Sequence, residues 1–486
     1  MKWLKRFLCL TMLLVLLCSL AQAEVSLLPQ VSAWQLEKQP LSVTLTANVN
    51  AWMPLDDTRT GWLNDLVKHI TLKLGYQQLE GESWSSVDVQ VDGTSALTLK
   101  QRDGDSESQL LLSVVSGTNY VASAGTDIAG LVLGDGTGIS FAGIDGTELS
   151  WLTDAYDLAC GLDVALKDYA EEKSVKTAIG KMGTARKKVT YTVPKESAET
   201  LTASLSGLCV AGEMQDLISS LVFSGKQQFT AYYTEDDALI KVSYSGECGV
   251  DAEHLRKVTI NWSMKRTDTE VRDDFTMKSP AVTGKDHNTI TFTRLTKEKN
   301  DGSVTLESTL KMDTKLDGVK NVLTIDADLK ADAEDDGTTM LTGTLSIKNA
   351  PEEDEDKTQL VLTPTLSFAD ASATDRYVDG AVTVEKKAGT NLKRVEQSGT
   401  IHISVNRGSY FDWELNDTVV DLSAMDETQL TNLQTEVQGA VATALVRPLV
   451  LLPEEDTKYL SADLDEAVWQ SIVNAAKAAM EKEAAQ

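Results

Sequence analysis

Strict two-residue alternation across the middle of the chain constrains its fold more than any other feature. In 289–293, 304–306, 310–312, 322–329, 341–347, 360–368, 381–384 and 400–405, apolar residues mostly take every second position. Thr, Ser, Lys or Asp fill the positions between them. A strand shows opposite faces at successive residues, so this pattern predicts strands with one side on a core and one in water. Asn300-Asp301-Gly302, Asp317-Gly318, Asp335-Asp336-Gly337 and Asp379-Gly380 punctuate the run. Asp and Gly accept the backbone angles of tight turns, and strands joined so closely must be antiparallel neighbours. One antiparallel meander is therefore expected over residues 222–415.

The same texture recurs in a β-rich region over 24–149, with alternation at 41–49, 86–91, 97–99 and 110–115. A short helix is expected at 62–69, and the Gly-rich 125–146 reads as loops with a short strand. A helical insert or lid is expected over 150–221. There Trp151, Ala155, Leu158, Leu162, Ala165, Leu166 and Tyr169 fall on one helix face, and Leu201, Leu205, Leu208, Leu217, Ile218 and Leu221 on another. A C-terminal helical region is expected over 416–486. It has a helix at 426–446 after a Ser423 cap and a second at 464–482. The acidic runs 352–356 and 454–456 read as solvated loops, the first a hairpin tip. The fold class is α+β and β-dominated, a long twisted antiparallel sheet with helices packed on one face.

Residues 1–23 read as a secretion signal. Lys2, Lys5 and Arg6 precede an apolar run over 7–17, and Ala21-Gln22-Ala23 has the small-x-small form of a cleavage site. The alternative, lipidation of Cys18, would follow Leu17, where that processing takes a small side chain. Cleavage near Ala23 takes the formal charge from −28 to −31 and predicts a secreted or periplasmic protein. No basic surface is left to neutralise phosphates, which argues against nucleic acid as a partner. The apolar stretch 439–453 is short and holds Arg447 and Pro448, so no transmembrane span is expected in the mature chain. A membrane barrel would need aromatic girdles, and the meander has few aromatics.

Cys9 and Cys18 leave with the signal, and Cys160, Cys209 and Cys248 remain. The preferred disulfide is Cys209–Cys248, joining a helix to the hairpin after it; the alternative is three small buried thiols. No metal site is expected: His69, His254, His287 and His402 have no ligand spacing, and there is no CxxC. His402, between Ile401 and Ile403, should face solvent. Asp332, Glu334, Asp336 and Gly337 match the first half of a calcium loop, but Gly343 stands where its bidentate Glu belongs. A hairpin turn is the better reading. No GxSxG, SxxK, phosphate-cradling or dinucleotide motif occurs, and the GxGxG of Gly134, Gly136 and Gly138 has no helix directly after it. No catalytic residues and no cofactor are assigned.

Residues 229–239, Phe-Thr-Ala-Tyr-Tyr-Thr-Glu-Asp-Asp-Ala-Leu, with helices expected before them, resemble the strand, acidic turn and strand of LolA-like envelope lipoprotein and lipid carriers. They also resemble large secreted bacterial proteins of unknown function. The resemblance spans roughly 150–405. It implies a half-barrel closed by helices over an apolar cavity, and a non-catalytic protein that binds a lipid, a lipoprotein or an envelope partner. Two other functions fit the same residues: a structural or assembly protein of the envelope, and a hydrolase whose carboxylate pair hides among 73 acids.

Overall fold

A computed structural model describes residues 41–52, 67–79, 82–114, 118–126, 128–133, 158–208, 215, 218–249, 255–280, 287–316, 319–351, 357–369, 376–407 and 418–449. The expected signal at 1–23, Cys209, His254, Trp151 and Ala155, and the acidic runs lie outside these residues, as do the expected helix at 464–482 and the GxGxG. So do residues 62–66 of the helix expected at 62–69.

The described strands form one 20-stranded sheet. β1 (Leu41–Trp52), β2 (Ile70–Leu79), β3 (Glu82–Val91), β4 (Thr94–Gly104), β5 (Glu107–Leu112) and β6 (Thr118–Ser123) make a first antiparallel series. A hairpin of β7 (Ala170–Ala178) and β8 (Thr184–Val193) begins the second. It continues through β9 (Val222–Tyr233), β10 (Leu239–Gly249), β11 (Arg256–Thr267), β12 (Glu270–Pro280), β13 (His287–Glu298) and β14 (Val304–Leu316). The series ends with β15 (Val319–Ala333), β16 (Thr339–Pro351), β17 (Thr358–Phe368), β18 (Arg376–Ala388) and β19 (Arg394–Arg407). The two series join where β1 lies between β2 and β19, with Leu41 opposite both Tyr76 and Arg407. β20 (Thr418–Asp421) adds parallel to β6. The spatial order is thus β7 to β19, then β1 to β6, then β20. Among the described residues the sheet is open, with β7 and β20 at its edges.

Register explains why the alternation matters. Val189, Ala231, Val242, Trp262, Phe275, Phe292, Leu310, Ile325, Ile347 and Leu360 stand opposite one another in a row across ten strands. The same side continues through Val382, Ile401, Leu45, Leu72, Val89 and Leu97 to Leu110, Tyr120 and Val420. One apolar face therefore runs across the sheet from β8 to β20, and the reverse face is mostly polar.

The helices pack on that apolar face at its two ends. Near the β6 edge, α1 (Ile128–Leu133) and the later 23-residue helix over Glu427–Leu449 bury Ile128, Val132 and Val437 against Leu99, Leu110, Leu112 and Tyr120. Gln434 and Gln438 donate to the carbonyls of Leu131 and Leu133 at 2.8 and 2.7 Å, satisfying α1 carbonyls that its own turns leave open. Toward the β7 edge, α2 (Leu162–Ala165) and α3 (Ala198–Ser206) bury Leu162, Leu201 and Leu205 against Val189, Tyr191, Phe229 and Tyr244. The long helix at Glu427–Leu449 is α4.

Several expectations are corrected. The interval 150–221 is not wholly helical, because β7 and β8 lie inside it. Val189-x-Tyr191-x-Val193 does alternate, but β7 is an exposed edge strand, four of its nine residues charged, with no apolar face to read. Residues 128–133 are helix rather than loop or strand. Asp379-Gly380 is no turn: both lie within β18, where Gly380 has φ +148° and approaches the Thr365 carbonyl too closely for any side chain. α3 ends at Ser206, and among the described residues helix recurs at 215 and 218–219. α4 is capped by Asp426, not Ser423. Asp426 Oδ1 accepts from Gln429 N at 2.8 Å and Gln429 Oε1 from Asp426 N at 3.0 Å, while Ser423 N donates to Asp421.

Candidate functional site

The apolar face is not evenly buried. One core cluster covers β8 to β12 under α2 and α3, and a second covers β14 to β19 with β1 around Leu306, Leu329, Leu341 and Leu366. Between them lies a seam. Ile290 and Phe292 of β13 and Leu310 and Met312 of β14 belong to neither cluster and are half-buried. Half-burial continues along the same rows through Leu323, Ile325, Ile347 and Leu360. No described helix makes its principal contacts here.

One edge of the seam carries charge. The next row on this face holds Met264, Asp273, Arg294 and Ser308, side by side on β11 to β14. The Asp273 side chain has no solvent exposure, and those of Arg266 and Arg294 are 15% and 10% exposed. Asp273 Oδ1 accepts from the Trp262 indole at 3.0 Å and from Arg266 Nη2 at 2.6 Å. Its Oδ2 accepts from Arg294 Nε at 2.7 Å and lies 2.6 Å from Arg294 Nη2. Arg266 Nη1 also donates to the carbonyls of Lys265 and Arg272. Charges are buried only when paired and hydrogen-bonded, and this carboxylate is saturated.

Sequence reasoning missed this group. Its trace is a charge at an inward position of the alternation: Trp262-x-Met264-x-Arg266, Val271-x-Asp273-x-Phe275 and Phe292-x-Arg294. Only register shows that the three strands are neighbours.

A second concavity, of about 700 Å³, lies on the polar face, where the β7–β8 hairpin tip at Ile179 to Met182 approaches β10 to β14. Lys241, Ser263, Asp274, Thr293 and Thr309 form its floor row. Its charges alternate in sign, and Arg272 is already paired with Glu270 at 3.2 Å. That leaves it no single-sign field to select a ligand.

The residues singled out from sequence do not assemble. Cys248 carries a free thiol, and its expected partner Cys209 lies outside the described residues. Cys248 sits in mid-sheet opposite Phe223 and Arg256, beside Tyr244. Burial pushes both the Cys248 thiol and the Tyr244 phenol up from their ordinary pKa values. The Tyr244 hydroxyl donates to Gln227 Oε1 at 2.7 Å, and Gln227 Nε2 donates to the carbonyls of Ser224, Gly225 and Glu247. Cys160 is exposed. His69 lies beside Asp92, His287 beside Asp313, and His402 faces solvent in β19. Among the described residues no cluster of His, Cys, Asp and Glu has the form of a metal site. Asp332, Glu334 and Asp336 form the end of β15 and its hairpin turn. Glu334 N donates to the Thr338 carbonyl at 2.9 Å, and Asp336 Oδ1 is taken by Thr338 N and Oγ1 at 3.0 and 2.7 Å.

No family model matches the chain, and no curated protein matches it. Among solved structures it is similar to in-vitro folded OmpT, an outer membrane protein of Vibrio cholerae in its trimer form. The identity is 10%, coverage 76% of this chain and 97% of that one, and the TM-score 0.24. Outer-membrane expressed OmpT of Vibrio cholerae gives 9% identity over 76% and 96%, with a TM-score of 0.23. A structure titled for asymmetric conductivity of engineered proteins gives 8% over 76% and 98%, at 0.22. Similarity at this level carries nothing about arrangement or activity. No described helix is long and apolar enough to cross a membrane.

Proposed function

We propose that this is a non-catalytic extracytoplasmic protein that binds an apolar or amphiphilic ligand on the apolar face of its sheet, between the two helix-covered ends. The observation that carries this reading is the seam. Ile290, Phe292, Leu310 and Met312 line up across β13 and β14 and keep part of their surface accessible, between two clusters whose leucines are fully buried. A contiguous apolar strip left accessible on a folded protein marks a binding surface more often than chance exposure does. Met312 adds an adaptable side chain suited to varied apolar partners. The secretion signal and the acidic charge support an extracytoplasmic, soluble setting.

The test uses the mature protein, residues 24–486, and the neutral fluorophore N-phenyl-1-naphthylamine. Saturable binding, lost on Phe292→Asp with an unchanged circular dichroism spectrum, is the expected result. Mass spectrometry of an organic extract of the freshly purified protein should then show an amphiphile. No saturable binding together with a clean extract would overturn the reading.

A further inference from the structure

We propose that the preferred ligand of the seam is a long-chain fatty acid whose carboxylate is received by Arg294, beside Asp273 and Arg266. The inference rests on the reading that the apolar face binds a ligand, and it adds the ligand's charge and the residue that reads it. On this face of β11 to β14, the charged residues around the row are Arg266, Asp273 and Arg294. Two are cations and one is an anion, a local excess of one positive charge on the apolar side of a protein that is strongly acidic overall. Desolvated charge of one sign attracts a counter-charge, and the apolar surroundings strengthen that attraction.

The two guanidiniums are not equivalent. Arg266 divides its donors between Asp273 and two backbone carbonyls. Arg294 directs Nε and Nη2 to the single oxygen Asp273 Oδ2, and none of the described hydrogen bonds uses its Nη1. A guanidinium fork with an unused edge suits a second carboxylate, which can accept two parallel N–H bonds. Ser308 stands directly opposite Arg294 on β14 and supplies a hydroxyl at the same level.

Beyond Arg294 the face turns apolar. Phe292 is two residues away on β13, and its row continues through Leu310, Ile325 and Ile347 to Leu360 on β17. Four strand spacings make that track about 19 Å long. The charge therefore lies at one end of an apolar strip, the polarity of a molecule with one carboxylate and one long alkyl chain. A diacyl phospholipid would bring two chains to a strip only a few residues wide on each strand. A free phosphate or a short carboxylate would leave the strip unused.

The experiment titrates the mature protein with oleate, oleyl alcohol and acetate at pH 8, following displacement of N-phenyl-1-naphthylamine. Oleate should bind at least about tenfold tighter than oleyl alcohol, the worth of one charge-assisted hydrogen-bonded contact, and acetate should displace nothing. Arg294→Gln should abolish the oleate preference and leave oleyl alcohol binding unchanged, while Arg294→Lys keeps part of it. Circular dichroism and melting of both variants report whether the sheet is intact. If Arg294→Gln does not fold, the oleate-to-alcohol ratio of the wild-type protein and of Arg294→Lys decides. Equal affinity of the wild type for oleate and oleyl alcohol overturns the proposal and leaves the apolar site standing. Failure of both to displace the bound fluorophore overturns the fatty-acid proposal alone, no fluorophore binding together with a clean extract overturns both readings, and a preference that survives Arg294→Gln overturns the assignment to Arg294.

Discussion

Replacing Asp273 by Ala should be among the most destabilising single changes in the protein. The side chain has no exposure and holds Trp262 Nε1, Arg266 and Arg294 by contacts of 2.6 to 3.0 Å. Removing it leaves two guanidiniums, 15% and 10% exposed, without their shared carboxylate, and takes the Asp273 acceptor from the indole. Breaking a buried ion pair by removing one partner costs about 3–5 kcal/mol, much of it the penalty of the charge left behind. That origin gives a sharper expectation than the single loss. In the triple variant Arg266→Met, Asp273→Ala, Arg294→Met no charge is left to strand, and the stability should return to within about 1–2 kcal/mol of wild type. Urea unfolding followed by far-ultraviolet circular dichroism measures both, read as a midpoint shift at constant slope. A loss under about 1 kcal/mol for Asp273→Ala would refute the claim that the carboxylate is energetically committed. A triple variant no better than the single one would refute the stranded-charge origin of the cost.

Gly246→Ala should destabilise by about 1–3 kcal/mol through overpacking. A Cβ there would lie 1.8 Å from Gln227 Oε1 and 2.6 Å from the Tyr244 hydroxyl, and Gln227 is held in place by three backbone carbonyls; an unchanged urea midpoint would show that this network yields. Stability should also fall on acidification. Glu82, hydrogen-bonded by Arg102, and Glu396, hydrogen-bonded by Lys386, have folded pKa values below the ordinary one. Their contribution is complete above about pH 4.3, the ordinary Glu value, and is lost as pH falls through the folded values. Melting temperatures from pH 6 to 3 should drop less steeply for Glu82→Gln/Glu396→Gln than for wild type, and parallel curves would contradict the assignment.

The meander is legible in the sequence because its physics is local. Strands such as β16 and β17 show their inward side in every second residue, and the Asn300-Asp301-Gly302 and Asp335-Asp336-Gly337 turns carry their own backbone chemistry. The β7 strand is not legible, since an edge strand with two solvated faces has no periodicity to show. Gly380 misleads because glycine serves both a turn and an in-strand close approach, and only the neighbouring Thr365 carbonyl tells them apart. The helix faces at Leu162, Leu166, Leu201 and Leu205 do pack in the core, as their periodicity implies. The charged group at Asp273 is the hardest case. Each member looks like an ordinary strand charge, and its meaning exists only across three strands whose partners are fixed by register.

The place of β1 bears on how the chain can reach this state. Its partner β19 is made about 350 residues later, so the contact that unites the two strand series has a very high sequence separation. Pairings of that kind form late, after the local hairpins on either side. Until then β1, 12 residues with no charged side chain, and the 14-residue β19 are both open edges. Finished β7, by contrast, is guarded by Glu171, Glu172, Lys173 and Lys176, the kind of charges that discourage strand addition. The vulnerable interval is therefore in biogenesis, when two long open edges of one molecule, β1 with no charge at all, can pair with another copy before they pair with each other.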